Sequence, residues 1–267
     1  MRVEWAGQHE RSIRRVGVIA RGAFLEAVRD RILVVPLMFA VLLIGVALST
    51  RTLSLGHHVK ILQDFGLAGI SFFSDILVLL AVATSLAREL ERGSILPVLA
   101  KPVRRGELLL GKYVGILLVV LVNIVSILVG LRLALMLVGG PWSNGILWAA
   151  ALSMVEVAVV GAVAVFFSVV TSPLLAMIFG GLAMFIGHMT LDLRELGVKI
   201  GSRWAHAAGD VLYYTLPNLE IFDVRGAAVH GYPIGSAYLF SAFVYGALYA
   251  AVVLFASSWA FQRRNLA

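Results

Sequence analysis

Two glycines and a lysine at the start of a long apolar segment have the spacing of a phosphate-binding loop. Gly106, Gly111 and Lys112 occupy the glycine and lysine positions of that pattern. A nucleotide site also needs a small hydroxyl residue after the lysine to hold magnesium, a buried strand before the loop and a soluble nucleotide fold around it. Here Tyr113 follows the lysine, and the next residues are typical of a membrane helix. The segment therefore does not predict nucleotide binding.

Four ionisable residues lie inside long apolar segments: Asp75, Arg132, Glu156 and His188. Ionisable groups are costly in hydrocarbon, so they usually face the protein interior or a water-filled cavity. Arg132 and Glu156 flank the turn at Pro141, and at 1.5 Å per helical residue their depths differ by roughly 8 Å. We interpret them as a structural ion pair or a snorkelling arginine, with a substrate contact as the alternative. For Asp75 and His188, structural and translocation roles are both open.

The sequence gives little support for a metal site or for a catalytic site. His188 and Asp192 stand four residues apart and could begin a metal site, but no recognisable motif links them to His57, His58 or His206. The chain has no cysteine, which excludes disulfides, thiolate ligands and cysteine nucleophiles. No HExxH sequence and no motif for intramembrane hydrolysis occurs. We therefore expect no metal, no cofactor and no catalytic residue in this chain.

The elements that must position these residues are membrane helices. Of the 267 residues, 60% are hydrophobic and 14% are charged, and the mean hydropathy is +0.95. This composition is far more apolar than that of an ordinary soluble domain. A helix of about 20 apolar residues crosses the hydrocarbon core. We predict one all-α membrane domain over residues 1–267 with six transmembrane helices, near 32–50, 66–86, 113–138, 145–170, 173–191 and 234–260.

The distribution of positive charge predicts the orientation of these helices. Seven Lys and Arg residues precede residue 32, six lie between residues 88 and 112, and two lie in the tail, whereas the opposite side carries six. Because positive residues favour the cytoplasmic side, we predict that the N and C termini are cytoplasmic. The net charge of +7 is interpreted as a topology signal and an attraction to anionic lipid headgroups, not as nucleic acid binding.

The first 31 residues predict an N-terminal interfacial helix. Arginines and apolar residues alternate there at helical spacing, as in helices that lie along a membrane surface. From Arg14 onward the pattern favours a helix. For residues 1–12 a disordered basic leader is the alternative.

The cytoplasmic loop, residues 87–112, is more ordered in sequence than a passive connector needs to be. Mixed charges are followed by Gly93, which can end a helix, and then by an apolar turn that includes Ile95 and Leu96. Pro102 prevents the helix from continuing, and a new helix begins near Gly106. The pattern predicts a short helix across the cytoplasmic ends of two spans, which a bound partner could move together.

This loop resembles a segment of ABC-2 type transporter permeases. Residues 88–113 read RELERGSILPVLAKPVRRGELLLGKY. In that family the loop between the second and third spans commonly reads Glu-Arg-Gly-Thr, an apolar stretch ending in Pro-Val, and then Arg-Gly-Glu-Phe-Leu-Leu-Gly-Lys. Ser94 stands where threonine is frequent. Six spans, cytoplasmic termini and an interfacial helix extend the resemblance along the chain.

The resemblance implies a permease subunit of an ATP-driven ABC transporter, in most of the family an exporter, in a bacterial or archaeal plasma (inner) membrane. Two separate ABC ATPase subunits would bind ATP and Mg²⁺, and a second permease would be either a copy of this chain or a related one. By the family pattern, the ATPase-coupling residues are Arg88, Glu89, Glu91, Arg92, Gly93, Ser94, Ile95, Leu96, Lys101 and Pro102.

Two further expectations concern the outer side and the alternative function. Residues 192–233 are predicted to be extracytoplasmic, and apolar residues such as Leu219 and Phe222 predict packing on the outer ends of the spans, as a fixed cap or as a lid. The alternative function is an ATPase-independent carrier or a scaffold subunit of another membrane complex. A carrier should show matched inverted halves, and none is evident here.

Overall fold

The computed structural model describes residues 2–29, 34–50, 58–87, 105–190, 194, 199, 210, 213 and 215–263, with side chains from residue 14 onward except at 35, 36 and 50. Within these residues all regular structure is helical, which confirms the all-α prediction. The helices are α1 (Arg2–Arg29), α2 (Val34–Thr50), α3 (His58–Ala81) with a π-helical extension (Val82–Ala87), α4 (Arg105–Val138), α5 (Asn144–Val170), α6 (Pro173–Gly187), a 3-10 helix (Glu220–Phe222), α7 (Arg225–His230) and α8 (Ser236–Arg263).

Four described helical stretches are long and apolar enough to cross a membrane. They are α3 with its extension, α4, α5 and α8. The apolar part of α2 (Leu37–Ser49) and α6 are shorter. The chain is thus a multi-pass membrane protein, whereas the count of six spans and the orientation of the termini stay predictions.

The ends of the central helices follow from local sequence. At the end of α4, Gly139 adopts a left-handed conformation with a φ of 71°, and the Gly140 N–H donates to the Leu135 carbonyl at 2.8 Å. This is the glycine-based helix stop in which a left-handed residue satisfies the last carbonyls. Pro141 then prevents continuation. At the start of α6, Pro173 lies in the first turn, where its missing N–H costs no hydrogen bond.

Helices α4 and α5 form the centre of the bundle. Helix α4 packs against α1, α2 and α3, while α5 packs against α3, α6 and α8. Their contact faces are fully buried at residues such as Ile127, Leu131 and Leu152. Large apolar side chains on the outer surface, including Phe240 and Phe255, are exposed. Such an exterior is expected for a protein whose solvent is lipid.

Helix α1 lies directly against the first turns of α4. A Cβ atom at Gly115 would lie 2.6 Å from the Ala20 carbonyl oxygen, and one at Gly111 would lie 2.7 Å from Ile19. Only glycine permits this approach, which buries Ala23 as well. The predicted N-terminal helix is therefore present, and it begins at Arg2 instead of after a disordered leader. Its position along the membrane surface stays a prediction.

The described part of the predicted extracytoplasmic segment packs into the bundle. The Leu219 N–H donates to the Gly187 carbonyl at 3.0 Å, which joins this segment to the end of α6. The Asn218 N–H donates to the Tyr245 hydroxyl of α8 at 2.9 Å. Leu219 and Phe222 are buried, as predicted. The segment's role as a fixed cap or as a lid stays a prediction.

Candidate functional sites

The coupling residues implied by the family pattern lie outside the described residues. These are Arg88, Glu89, Glu91, Arg92, Gly93, Ser94, Ile95, Leu96, Lys101 and Pro102. The structure describes both ends of the predicted loop of residues 87–112, because the π-helical extension ends at Ala87 and α4 already begins at Arg105; these ends and the adjoining turns are called its flanks below. The geometry of these flanks determines what a force on the loop would move.

Lys112 joins three elements at the flanks of the loop. Its Nζ atom donates to Ser85 Oγ on the π-helical extension at 3.2 Å and to Glu26 Oε2 on α1 at 3.3 Å. The Lys112 side chain is only 9% exposed, whereas that of Glu26 is 46% exposed. The neighbouring Tyr113 donates its hydroxyl to the Ala158 carbonyl of α5 at 2.7 Å. The lysine of the phosphate-loop-like run thus connects α1, α4 and the end of α3.

Two further contacts hold the start of α4. Arg15 Nη1 on α1 lies 3.6 Å from Glu107 Oε2. Arg105 Nη1 donates to the Phe261 carbonyl at 2.9 Å near the end of α8, and its guanidinium lies 5.6 Å from the centre of the Phe261 ring. The helix that follows the loop is therefore fixed to both the N-terminal and the C-terminal helices.

Three of the four ionisable residues predicted inside the spans come together in a buried polar cluster. Asp75 lies on α3, Glu156 on α5 and His188 directly after α6. Asp75 is 4% exposed and Glu156 2% exposed, while the His188 side chain is 35% exposed. His188 Nε2 lies 2.8 Å from Glu156 Oε1. One potential ligand atom from each residue lies within 4.8 Å of the others, so these residues could hold a metal ion.

The orientation of His188 is set by the helix that precedes it. Its Nδ1 atom lies 3.0 Å from the Met184 carbonyl oxygen. Because a carbonyl oxygen only accepts, Nδ1 carries a proton in this arrangement. Nε2 therefore faces the Glu156 carboxylate. Asp75 Oδ1 and Glu156 Oε1 are both buried, and neither has a hydrogen-bond partner among the described residues.

Neutral polar residues extend the polar contacts along α3. Asn123 Nδ2 on α4 donates to Ser74 Oγ at 2.8 Å, and the hydroxyls of Ser71 and Ser153 lie 3.2 Å apart. Asn123 and Ser74 are fully buried. These residues were not predicted, because they carry no charge that would mark them within an apolar segment. A search for amides within apolar segments would have found Asn123.

Arg132 does not join the cluster. Its guanidinium lies 5.3 Å from the centre of the Trp142 ring, beside an apolar groove that includes Leu128 and Leu147. Among the described residues Arg132 and Glu156 form no ion pair with each other, and Glu156 pairs with His188 instead. Of the two structural interpretations of Arg132, the ion pair with Glu156 is not found among the described residues, and the snorkelling arginine stays a prediction. Asp192, considered as a partner of His188, lies outside the described residues.

Comparison with protein families places the chain among membrane transport proteins. A family model described as an ABC-2 family transporter protein matches residues 18–266. A search of curated proteins gives no match.

Proposed function

The chain belongs to the ABC-2 family of transporter proteins, so it is a membrane permease component of an ABC transporter, and we propose that it exports its substrate by coupling to a separate ATPase subunit. The match over residues 18–266 carries this proposal. It includes the whole cytoplasmic loop of residues 87–112, where the motif order resembles that of the family's ATPase-contacting segment.

The contacts at the flanks of the loop support a mechanical role for it. The π-helical extension ends at Ala87, and α4 begins at Arg105. Lys112 links these two flanks to α1, and Arg105 links α4 to α8. A displacement of the loop would therefore act on α1, α3, α4 and α8 together. A short coupling helix bound by a partner needs such contacts to transmit its movement to the membrane helices.

In the proposed assembly, two ATPase subunits bind ATP and Mg²⁺ and contact two permease chains in the plasma membrane. Closure of the ATPase pair on ATP would draw the two cytoplasmic loops together and switch the cavity between the permeases. ATP can drive this change because it binds the closed pair more tightly than the open pair. The second permease is either a copy of this chain or a related chain.

The test is co-purification of the permease from its native membrane with its ATPase. We compare the wild type with Glu91→Arg, a charge reversal in the loop. The control is Asp64→Arg, a reversal at an exposed residue of α3 near its opposite end. ATPase activity should accompany the wild type and the control, and it should be lost with Glu91→Arg while the permease stays inserted and folded.

Two results would oppose the proposal. If no ATPase accompanies the wild type under conditions that preserve other membrane complexes, the chain works without one. If Glu91→Arg retains the ATPase as well as the wild type does, the contact lies elsewhere on the permease.

A further inference from the structure

We propose that Asp75, Glu156 and His188 form a binding site for one divalent first-row metal cation of the Zn²⁺, Co²⁺ or Mn²⁺ type. The proposal does not rest on ATPase coupling, since it concerns only the buried polar cluster of this chain. The site would join α3, α5 and the chain that follows α6.

The ligand atoms are already close to the separation that a shared cation requires. Bonds from zinc to imidazole nitrogen or carboxylate oxygen measure about 2.0–2.2 Å, so in a tetrahedral site two ligand atoms lie roughly 3.3–3.6 Å apart. The potential ligand atoms of the three residues lie within 4.8 Å of one another, and His188 Nε2 and Glu156 Oε1 are 2.8 Å apart. Side-chain rotations that shorten the longer separations by up to roughly 1–1.5 Å would bring all three atoms to the tetrahedral spacing.

The His188 imidazole has the hydrogen-bonding arrangement that is typical of metal-binding histidines. Histidines that bind metals almost always donate their other ring N–H to a carboxylate, a backbone carbonyl or water, which fixes the tautomer. His188 makes that contact through Nδ1 to the Met184 carbonyl. In the neutral ring, Nε2 then carries a lone pair close to Glu156 Oε1, an atom that is buried and has no hydrogen-bond partner among the described residues. Two acceptors at 2.8 Å need a cation or a proton between them.

The charge of the cluster favours a divalent cation over a single proton. Two carboxylates buried together carry two negative charges that are costly unless they are paired. A proton shared by His188 and Glu156 leaves Asp75 Oδ1 buried with no hydrogen-bond partner among the described residues. A divalent cation bound by all three side chains would neutralise both carboxylates and would also satisfy that oxygen.

The types of ligand in the cluster indicate which class of metal ion it would bind. One imidazole with two carboxylates suits zinc and its first-row neighbours, whereas Mg²⁺ and Ca²⁺ prefer sites built from oxygen alone. Three protein ligands leave a coordination position open, as in sites that exchange a ligand. His188, with 35% of its side chain exposed, is the most accessible of the three ligands.

The experiment measures metal binding by the full chain in lipid nanodiscs, purified through a tag without histidines and treated with a chelator. Equilibrium dialysis against Co²⁺ and Zn²⁺, with the metal counted by mass spectrometry, should give one ion per chain above any surface binding. Asp75→Asn and Glu156→Gln should weaken this binding by at least about 10-fold, since even outer-shell changes have effects of that size. Asp64→Asn, an exposed carboxylate on the same helix, should bind as the wild type does.

A second readout separates a lost site from a misfolded protein. Co²⁺ at the site should give a visible absorption band and should raise the melting temperature of the wild type and of Asp64→Asn, but not that of Asp75→Asn. The proposal is overturned if the wild type binds no metal, in which case the cluster shares a proton. Equal binding by the wild type and Asp75→Asn would also overturn it.

Discussion

Lys112 and Ser85 lie on the two sides of the predicted cytoplasmic loop and contact each other, with Lys112 Nζ donating to Ser85 Oγ at 3.2 Å. The lysine belongs to the first turns of α4 and the serine to the last turn before the loop. A direct hydrogen bond thus closes the base of the loop. Glu26 accepts a second hydrogen bond from the same ammonium group, so α1 shares this contact.

We expect Lys112→Met to loosen this junction without unfolding the bundle. Hydrogen bonds to charged groups contribute about 1.5–3 kcal/mol, and the lost partner Glu26 is half-exposed, so water can hydrate it. The free energy of unfolding should fall by about 1–3 kcal/mol, and ATP-driven transport should fall more than ATPase assembly does. Thermal unfolding in nanodiscs and transport assays check this. Lys60→Met, at an exposed lysine of α3, should change neither quantity.

The contact of α1 with α4 depends on the absence of a side chain at Gly115. In Gly115→Ala the new Cβ would lie 2.6 Å from the Ala20 carbonyl oxygen, so the helices must separate. Overpacking of this kind costs about 1–3 kcal/mol. The variant should melt at a lower temperature and expose α1 to proteases.

The matched control for that variant is Gly22→Ala on α1 itself. A Cβ at Gly22 meets no atom within 4 Å, and alanine is favoured over glycine in a helix by about 0.5–1 kcal/mol. The control should therefore be as stable as the wild type or slightly more so. Equal destabilisation by both substitutions would contradict the packing argument.

Hydropathy located the helices because lipid-facing surfaces must be apolar, but it could not locate their ends. The apolar span was predicted to begin at 113, and only the local sequence near Gly106 predicted the start of its helix, which the structure places at Arg105. The charged turns of α4 are held by Arg15 and by the end of α8. The fifth span was predicted to reach 191, whereas α6 ends at Gly187, whose carbonyl binds Leu219. The start of α4 and the end of α6 both depend on contacts with residues that are distant in the sequence.

The members of the buried polar cluster could be predicted from the sequence, but the contacts between them could not. Asp75, Glu156 and His188 stood out because each is an ionisable residue in an apolar segment. Their mutual contacts did not, since depth along a helix gives no information on its rotation. Arg132 was therefore matched to Glu156 by depth alone, whereas the structure turns it towards Trp142.

The hydrogen bond between Ser74 and Asn123 offers a measurement of polar contact energy between two spans. Ser74→Ala leaves the Asn123 amide buried without its 2.8 Å partner, which costs more than removing both groups. The double variant Ser74→Ala/Asn123→Leu should therefore be more stable than Ser74→Ala alone. In a double-mutant cycle on unfolding free energy, we expect a coupling of about 0.6–1.7 kcal/mol. Strictly additive effects would show that the contact contributes nothing.

Asp223 and Arg225, outside the candidate spans, should give the protein a pH-dependent stability in acid. Burial alone would raise the pKa of Asp223, but hydrogen bonds and charge from Arg225 outweigh it, and the net pKa is lowered from 3.8. A lowered folded-state pKa means that the stabilisation is complete above the ordinary aspartate pKa and is lost as pH falls through the folded-state value. Wild-type melting temperature should therefore decline on acidification below that range.

The variants that test this dependence remove either side of the pair. Asp223→Asn cannot ionise, and Arg225→Gln removes the group that lowers the pKa, so both should melt earlier than the wild type at neutral pH. Because their stabilising contact is already gone, their melting temperatures should decline less on acidification, and the three curves should converge below the folded-state pKa. Parallel curves for the wild type and Asp223→Asn would mean that this carboxylate does not govern the acid response.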